Sequence, residues 1–269
     1  MTTLNRRTLL SGLGTLCLAG AAVSGVSSSA AAQTAAAVPV LPMPRLTASH
    51  GLVSLNSVST QRPQVALTFD DGPHPQNTPV LLDILAQYRA RATFYVIGQN
   101  ARRYPEILRR MVAEGHEIGN HTWTHPVLSQ QGDGTVLTEI DRTQQIIWET
   151  VGAVPVTMRP PYGAFSQRQM RMLADQRNLP TIIWSVDTND WRRPGPSVVA
   201  SRMVQSARPG SVILAHDIHG PTIRAVPEAL QGLLARGLQP VTLSEMLGWN
   251  RWGPRGLRYV EAPMDSFSG

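Results

Sequence analysis

The chain changes hydrophobic period repeatedly after residue 64. Short apolar runs alternate with longer stretches whose apolar positions recur every three or four residues. The runs at 65–69, 93–97, 117–119, 156–158, 181–186, 211–214 and 240–242 predict strands. The periodic stretches at 79–88, 105–114, 135–150, 167–176, 197–207 and 226–235 predict helices, and a short helix at 243–247 follows the seventh strand. Local chemistry supports several ends. Ser166 can cap a helix with Gln169 three residues on, Pro105 suits a first helical position, and Gly115 and Gly237 stand where helices should stop. Seven strand–helix alternations between residues 62 and 248 predict an α/β fold with a parallel sheet, closed at this length into a (β/α) barrel of seven or eight strands.

Outside that span the pattern is lost. Residues 1–32 read as an export signal: Arg6-Arg7, an apolar run from Leu9 to Val26, then Ala30-Ala31-Ala32 as a small-residue cleavage site. The arginine pair resembles a twin-arginine signal, although a general secretory signal with two arginines would look similar. The only cysteine, Cys17, falls inside this segment, and Leu16 before it disfavours lipidation. Residues 33–61 read as a linker that could end in a short edge strand, and residues 249–269 as a C-terminal tail. The expectation is an exported protein, periplasmic or extracellular, with no stable membrane insertion after signal cleavage and no need of a disulfide.

At 269 residues and 42% apolar content the chain can bury one large core. Its formal charge is +6, and all 24 basic side chains are arginine. They are scattered singly or in pairs such as Arg102-Arg103 and Arg192-Arg193. Without a recognition motif, that argues against a nucleic-acid partner and for a solvated basic surface that can approach an anionic polymer such as a cell wall.

The chemistry lies where predicted strands end. Asp70-Asp71 closes the first strand just before Gly72-Pro73, and two adjacent acids at a buried strand tip need compensation. His121 and His125 are four residues apart after the third strand. If residues 120–126 made a helical turn, both rings would share a face and reach one ion. With one aspartate they form a two-nitrogen, one-oxygen set that suits catalytic zinc or non-haem iron. The second aspartate favours a hydrolase, where it can serve as general base toward water; an oxygenase has no need of it.

Arg159, in a turn made rigid by Pro160 and Pro161, could pair with the base, and the Tyr162 backbone N–H could help an oxyanion form. His216 ends the sixth predicted strand and suits a general acid for an amine leaving group, with His219 as competitor. Asp187 or Asp190 could orient that histidine. Trp191 could wall a sugar subsite, Trp184 is expected in the core, and His74 and His116 are expected to be structural or surface residues.

Taken in order, Thr68-Phe69-Asp70-Asp71-Gly72-Pro73, His121-Thr122-Trp123-Thr124-His125, Arg159-Pro160-Pro161-Tyr162-Gly163, Asp187 to Trp191 and Leu214-Ala215-His216 resemble the five motifs of the polysaccharide deacetylases, carbohydrate esterase family four or NodB homology domain. The resemblance covers residues 62–248. It implies a distorted (β/α) barrel that hydrolyses N-acetyl, sometimes O-acetyl, groups of glycans. Asp70 would be the base, and Asp71, His121 and His125 the ligands of zinc, sometimes cobalt. Arg159 would hold the base, His216 would be the acid, and Asp187 would tune it, with Asp190 the alternative. Leu214 would line the acetyl pocket. The expected partner is an acetylated glycan such as peptidoglycan or chitin oligomers. The competing readings are a small-molecule amide hydrolase on the same scaffold and a wall-binding protein without turnover.

Overall fold

The computed structural model describes residues 51–249 and 252–253. The export-signal reading and most of the C-terminal tail lie outside the described residues. In chain order the elements are β1 (Ser54–Leu55), β2 (Gln64–Asp70), α1 (Asn77–Gln87), β3 (Thr93–Val96), α2 (Gly98–Arg103), α3 (Pro105–Ala113), β4 (Glu117–Asn120) and α4 (Asp133–Val151). They continue with α5 (Gln167–Arg177), β5 (Thr181–Ile182), β6 (Val186–Asp187), α6 (Pro196–Gln205), β7 (Val212–His216), α7 (Gly220–Ala235), β8 (Gln239–Val241) and α8 (Leu243–Met246). Every ladder between these strands is parallel. The α/β class is as expected.

The main sheet runs β4-β3-β2-β7-β6. On one side of β2, β8 pairs with residues 64–66 and β3 with residues 68–70, so two short strands share one edge in succession. The predicted strand at 156–158 is only a pair of isolated bridges, Met158 to Asn120 and Met158 to Thr181. Prolines at 155, 160 and 161 flank it, and proline donates no ladder hydrogen bond. The predicted strand at 181–186 is split: β5 pairs with β1, and β6 with β7. These interruptions are the distortion of the barrel. β1 lies within the expected linker, as an edge strand at its end.

Helix starts were legible where capping chemistry was local. Ser166 and Gln169 form the expected capping box of α5, and Thr242 and Glu245 form another at α8. The six-residue α2 was not expected. α7 starts six residues before its predicted first residue, with Pro221 in its first turn and Pro227 inside it. Packing against the core holds the helix through Pro227.

β2 is buried on both faces, as strands covered by crossover helices must be. In-register neighbours of a parallel sheet project to the same side. Thr68 pairs with Leu214 and Asp70 with His216, so these four side chains share one face at the C-terminal end of the sheet. Trp184, expected in the core, is half buried at its margin.

Candidate active site

The site begins with Arg159, whose side chain is wholly buried. A buried guanidinium requires acceptors on every side. Nη1 donates to Asp70 Oδ1 at 2.8 Å and to Thr68 Oγ1 at 2.7 Å. Nε and Nη2 donate to the carbonyls of Ile182 and Ile183, each at 3.2 Å. The guanidinium also lies 4.2 Å over the Tyr95 ring. Asp70, itself buried, is thereby fixed through one oxygen. Its other oxygen, Oδ2, stands 3.8 Å from His121 Nε2.

Asp71 turns away from its neighbour because its backbone takes φ +76°, a left-handed conformation that a non-glycine residue holds only when its surroundings enforce it. Asn100 Nδ2 donates to its carbonyl at 2.9 Å. The carboxylate then faces both imidazoles: Oδ1 is 3.4 Å from His121 Nε2 and 3.1 Å from His125 Nε2. Among the described residues this buried oxygen has no hydrogen-bond partner.

The two histidines do not meet through a helical turn, as the spacing suggested. Residues 121–127 are irregular, with positive φ at Thr122 (+67°) and His125 (+65°). The rings nevertheless sit 4.9 Å apart. His121 Nδ1 lies 2.7 Å from the Arg159 carbonyl and must donate to it, which leaves the Nε2 lone pair free for a cation. His125 Nδ1 lies 3.2 Å from the Tyr162 hydroxyl. Ligand atoms of Asp71, His121 and His125 all lie within 4.8 Å of one another. An unsatisfied carboxylate oxygen facing two oriented imidazoles is a donor set that fits zinc or cobalt.

His216 ends β7 opposite Asp70. The carboxylate bound to it is Asp190. Nδ1 lies 2.7 Å from Asp190 Oδ1, and the backbone N–H donates to Oδ2 at 2.8 Å, where the Thr222 hydroxyl also bonds at 2.7 Å. The expectation for Asp187 is therefore corrected. Its Oδ1 accepts the Asn189 N–H at 2.7 Å, closing a local turn that leads Asp190 inward. Burial alone would lower the His216 pKa, but the Asp190 hydrogen bond and charge outweigh it, and Asp70 and Asp71 add to them. The result is a pKa of about 9. Burial likewise opposes ionisation of Asp190, yet the contacts with His216 hold its carboxyl below the ordinary range.

His219 packs near His216, with ring centroids 5.9 Å apart, but Asp190 bonds the ring of His216. Leu214 is buried beside Thr68, on the face that carries Asp70. Tyr162 and Trp191 are 68% and 51% exposed, large apolar surface left at the site's edge. His74 and His116 have structural places: each accepts backbone N–H groups through Nδ1. The motifs gave no sign of Tyr95, Asn100 or Thr222; only the buried aromatic position of Tyr95 in an apolar run could have marked it.

The sequence profile described as polysaccharide deacetylase matches residues 57–180. A chitooligosaccharide deacetylase of Bradyrhizobium is 40% identical over 190 residues, covering 65% of this chain and 86% of that protein. The chain belongs to the polysaccharide deacetylase family. Peptidoglycan-N-acetylglucosamine deacetylase PgdA of Listeria monocytogenes is 38% identical over 185 residues, 69% of this chain and 39% of that protein. The chain thus aligns with about two-fifths of that relative's length. The crystal structure of the Bc1960 peptidoglycan N-acetylglucosamine deacetylase superposes with a TM-score of 0.70 at 35% identity, covering 73% of this chain and 94% of the other. The fold is that of the family, and no described helix is long and apolar enough to cross a membrane.

Proposed function

We propose that this protein is an exported, metal-dependent deacetylase that removes N-acetyl groups from N-acetylglucosamine-type glycans, such as peptidoglycan or chitin oligomers. The observation that carries the reading is the second carboxylate. Asp71 suffices for the ligand set, yet Asp70 is held beside it by a fully buried arginine, with His216 across the strand pair. A site built only to bind a cation or a glycan has no use for that arrangement. The named activities of the relatives support the substrate class.

Asp71, His121 and His125 would hold the cation, zinc. When bound, it supplies Lewis acidity to the acetyl carbonyl and to water in the site. Asp70 takes the proton from the water as its oxygen attacks the carbonyl carbon. Arg159 keeps Asp70 aimed by occupying Oδ1, which leaves Oδ2 as the basic atom. The Tyr162 N–H offers a hydrogen bond to the oxygen that gains charge. The carbon–nitrogen bond then breaks as His216 Nε2 gives its proton to the departing amine. Asp190 holds His216 through Nδ1 in the orientation and charge state that step requires. Acetate and a free amino sugar result. Leu214 would contact the acetyl methyl, and Trp191 and Tyr162 would stack on sugar rings.

Acetate release by residues 33–269 tests this, with zinc and then with chelator, on peptidoglycan, chitin oligomers and acetylxylan side by side. Chelator-sensitive release from either of the first two is expected. Release from acetylxylan alone would move the assignment to O-deacetylation. No release from any substrate by zinc-loaded protein would favour a small-molecule amide hydrolase.

A further inference from the structure

α4 carries an acid where its periodicity calls for an apolar residue. Glu139 follows Val136 by three positions and precedes Ile140, and all three are buried. A buried carboxylate is tolerated only when its acceptor capacity is used. Here every donor comes from one place. Oε2 accepts the N–H of Trp123 at 2.8 Å and of Thr124 at 2.7 Å, and Oε1 accepts the Thr124 hydroxyl at 2.9 Å. These donors lie between His121 and His125.

The segment needs such an anchor. It has no ladder or helix of its own, and its two left-handed residues, Thr122 and His125, cost about 1–3 kcal/mol each unless the surroundings enforce them. Asn120 Oδ1 holds the Thr122 N–H at 2.9 Å, and the first residues of α2 bond the carbonyls of Thr122 and Trp123. His125 itself is held through its N–H to Thr122 Oγ1 at 3.1 Å and through the Tyr162 hydroxyl, both weaker anchors. Two successive N–H groups closing on one carboxylate oxygen fix the backbone direction that leads into His125.

We propose that Glu139 is the positioning residue of the His121–His125 loop, setting the approach of His125 to Asp71 and so the affinity of the cation site. This rests on the reading of Asp71, His121 and His125 as that site.

Zinc affinity, measured by competition with a chromophoric chelator, tests it, together with the visible absorption of the cobalt-loaded protein. Glu139→Ala should weaken zinc binding about 10- to 100-fold, the range for groups that orient a ligand from behind, and should alter the cobalt spectrum. Glu139→Gln should recover most of the affinity, because its carbonyl can accept both N–H groups while its amide donates to Thr124 Oγ1. Thr124→Val removes one of the three bonds and should weaken binding a few-fold; it carries the test if Glu139→Ala does not fold. Wild-type affinity and spectrum in Glu139→Ala, or in Thr124→Val in its place, would overturn the proposal. So would Glu139→Gln as defective as Glu139→Ala. A wild-type protein that binds neither ion would instead overturn the cation site.

Discussion

Asp190 bonds His216 twice, once through the ring and once through the backbone N–H, and takes a third bond from Thr222 at the start of α7. One carboxylate therefore ties the turn after β6 to the tip of β7 and to the helix that follows. It fixes both where the imidazole points and how strongly it holds its proton.

That pairing sets a pH limit. A general acid works only while protonated, so activity should fall as pH rises through the His216 pKa of about 9. In Asp190→Asn the alkaline limb of the kcat profile should move toward the ordinary histidine range near ~6.5. Acetate release measured from pH 6 to 10 checks this. Asp187→Asn, whose oxygen serves only a local turn, should leave the limb in place.

Asp70 should separate chemistry from cation binding. Asp70→Asn is expected to lower kcat by about 10²- to 10⁴-fold, the span that general-base catalysis contributes. Zinc affinity should stay close to wild type, because Asp71 and the two histidines are intact. Paired measurements of acetate release and zinc competition check it, and wild-type turnover would remove Asp70 from its assigned role.

Arg159 should not tolerate lysine. Four acceptors surround its guanidinium, and an ammonium can satisfy only some of them from one point. Arg159→Lys should cost about 3 kcal/mol of stability, typical of a broken buried pair, and should lower kcat as Asp70 loses its orientation. Denaturant unfolding gives the first quantity and acetate release the second.

Glu117, at the other end of β4, should make stability depend on pH. Burial pushes its carboxyl up to about 7, although the Ser244 N–H and hydroxyl and the Thr93 hydroxyl oppose the shift. The folded state therefore binds a proton that the unfolded chain has already released. The stabilisation is full below the ordinary carboxylate pKa near 4.5 and is lost as pH rises through 7. Buried Asp217, also raised to about 7, acts in the same direction. Between pH 5 and 8 the wild-type Tm should fall more than that of Glu117→Gln.

Chelation should lower both activity and Tm, since a cation that binds only the folded state stabilises it by mass action. Zinc should restore both. His125→Ala should abolish this difference in Tm between chelated and zinc-loaded protein.

Local patterns by themselves determined the alternation of strands and helices, the parallel sheet and the strand tips on which the acids and histidines stand. Burial on two faces and capping chemistry depend on neighbours within a few residues, so both are written along the chain. The motifs named Asp70, Asp71, His121, His125, Arg159 and His216 for the same reason. Only the tertiary structure decided how these residues meet. The choice of Asp190 over Asp187 turned on a local Asx turn that rotates one carboxylate away and the next inward. The histidine pair meets in an irregular loop whose Trp123 and Thr124 N–H groups bond Glu139, which lies sixteen residues beyond Trp123 on another element. Met158 bridges strands without forming one, because prolines around it remove ladder donors. Asp190 reaches His216 across 26 residues, and Glu139 sits on another element from the loop it holds; a contact between distant residues leaves no period in the chain.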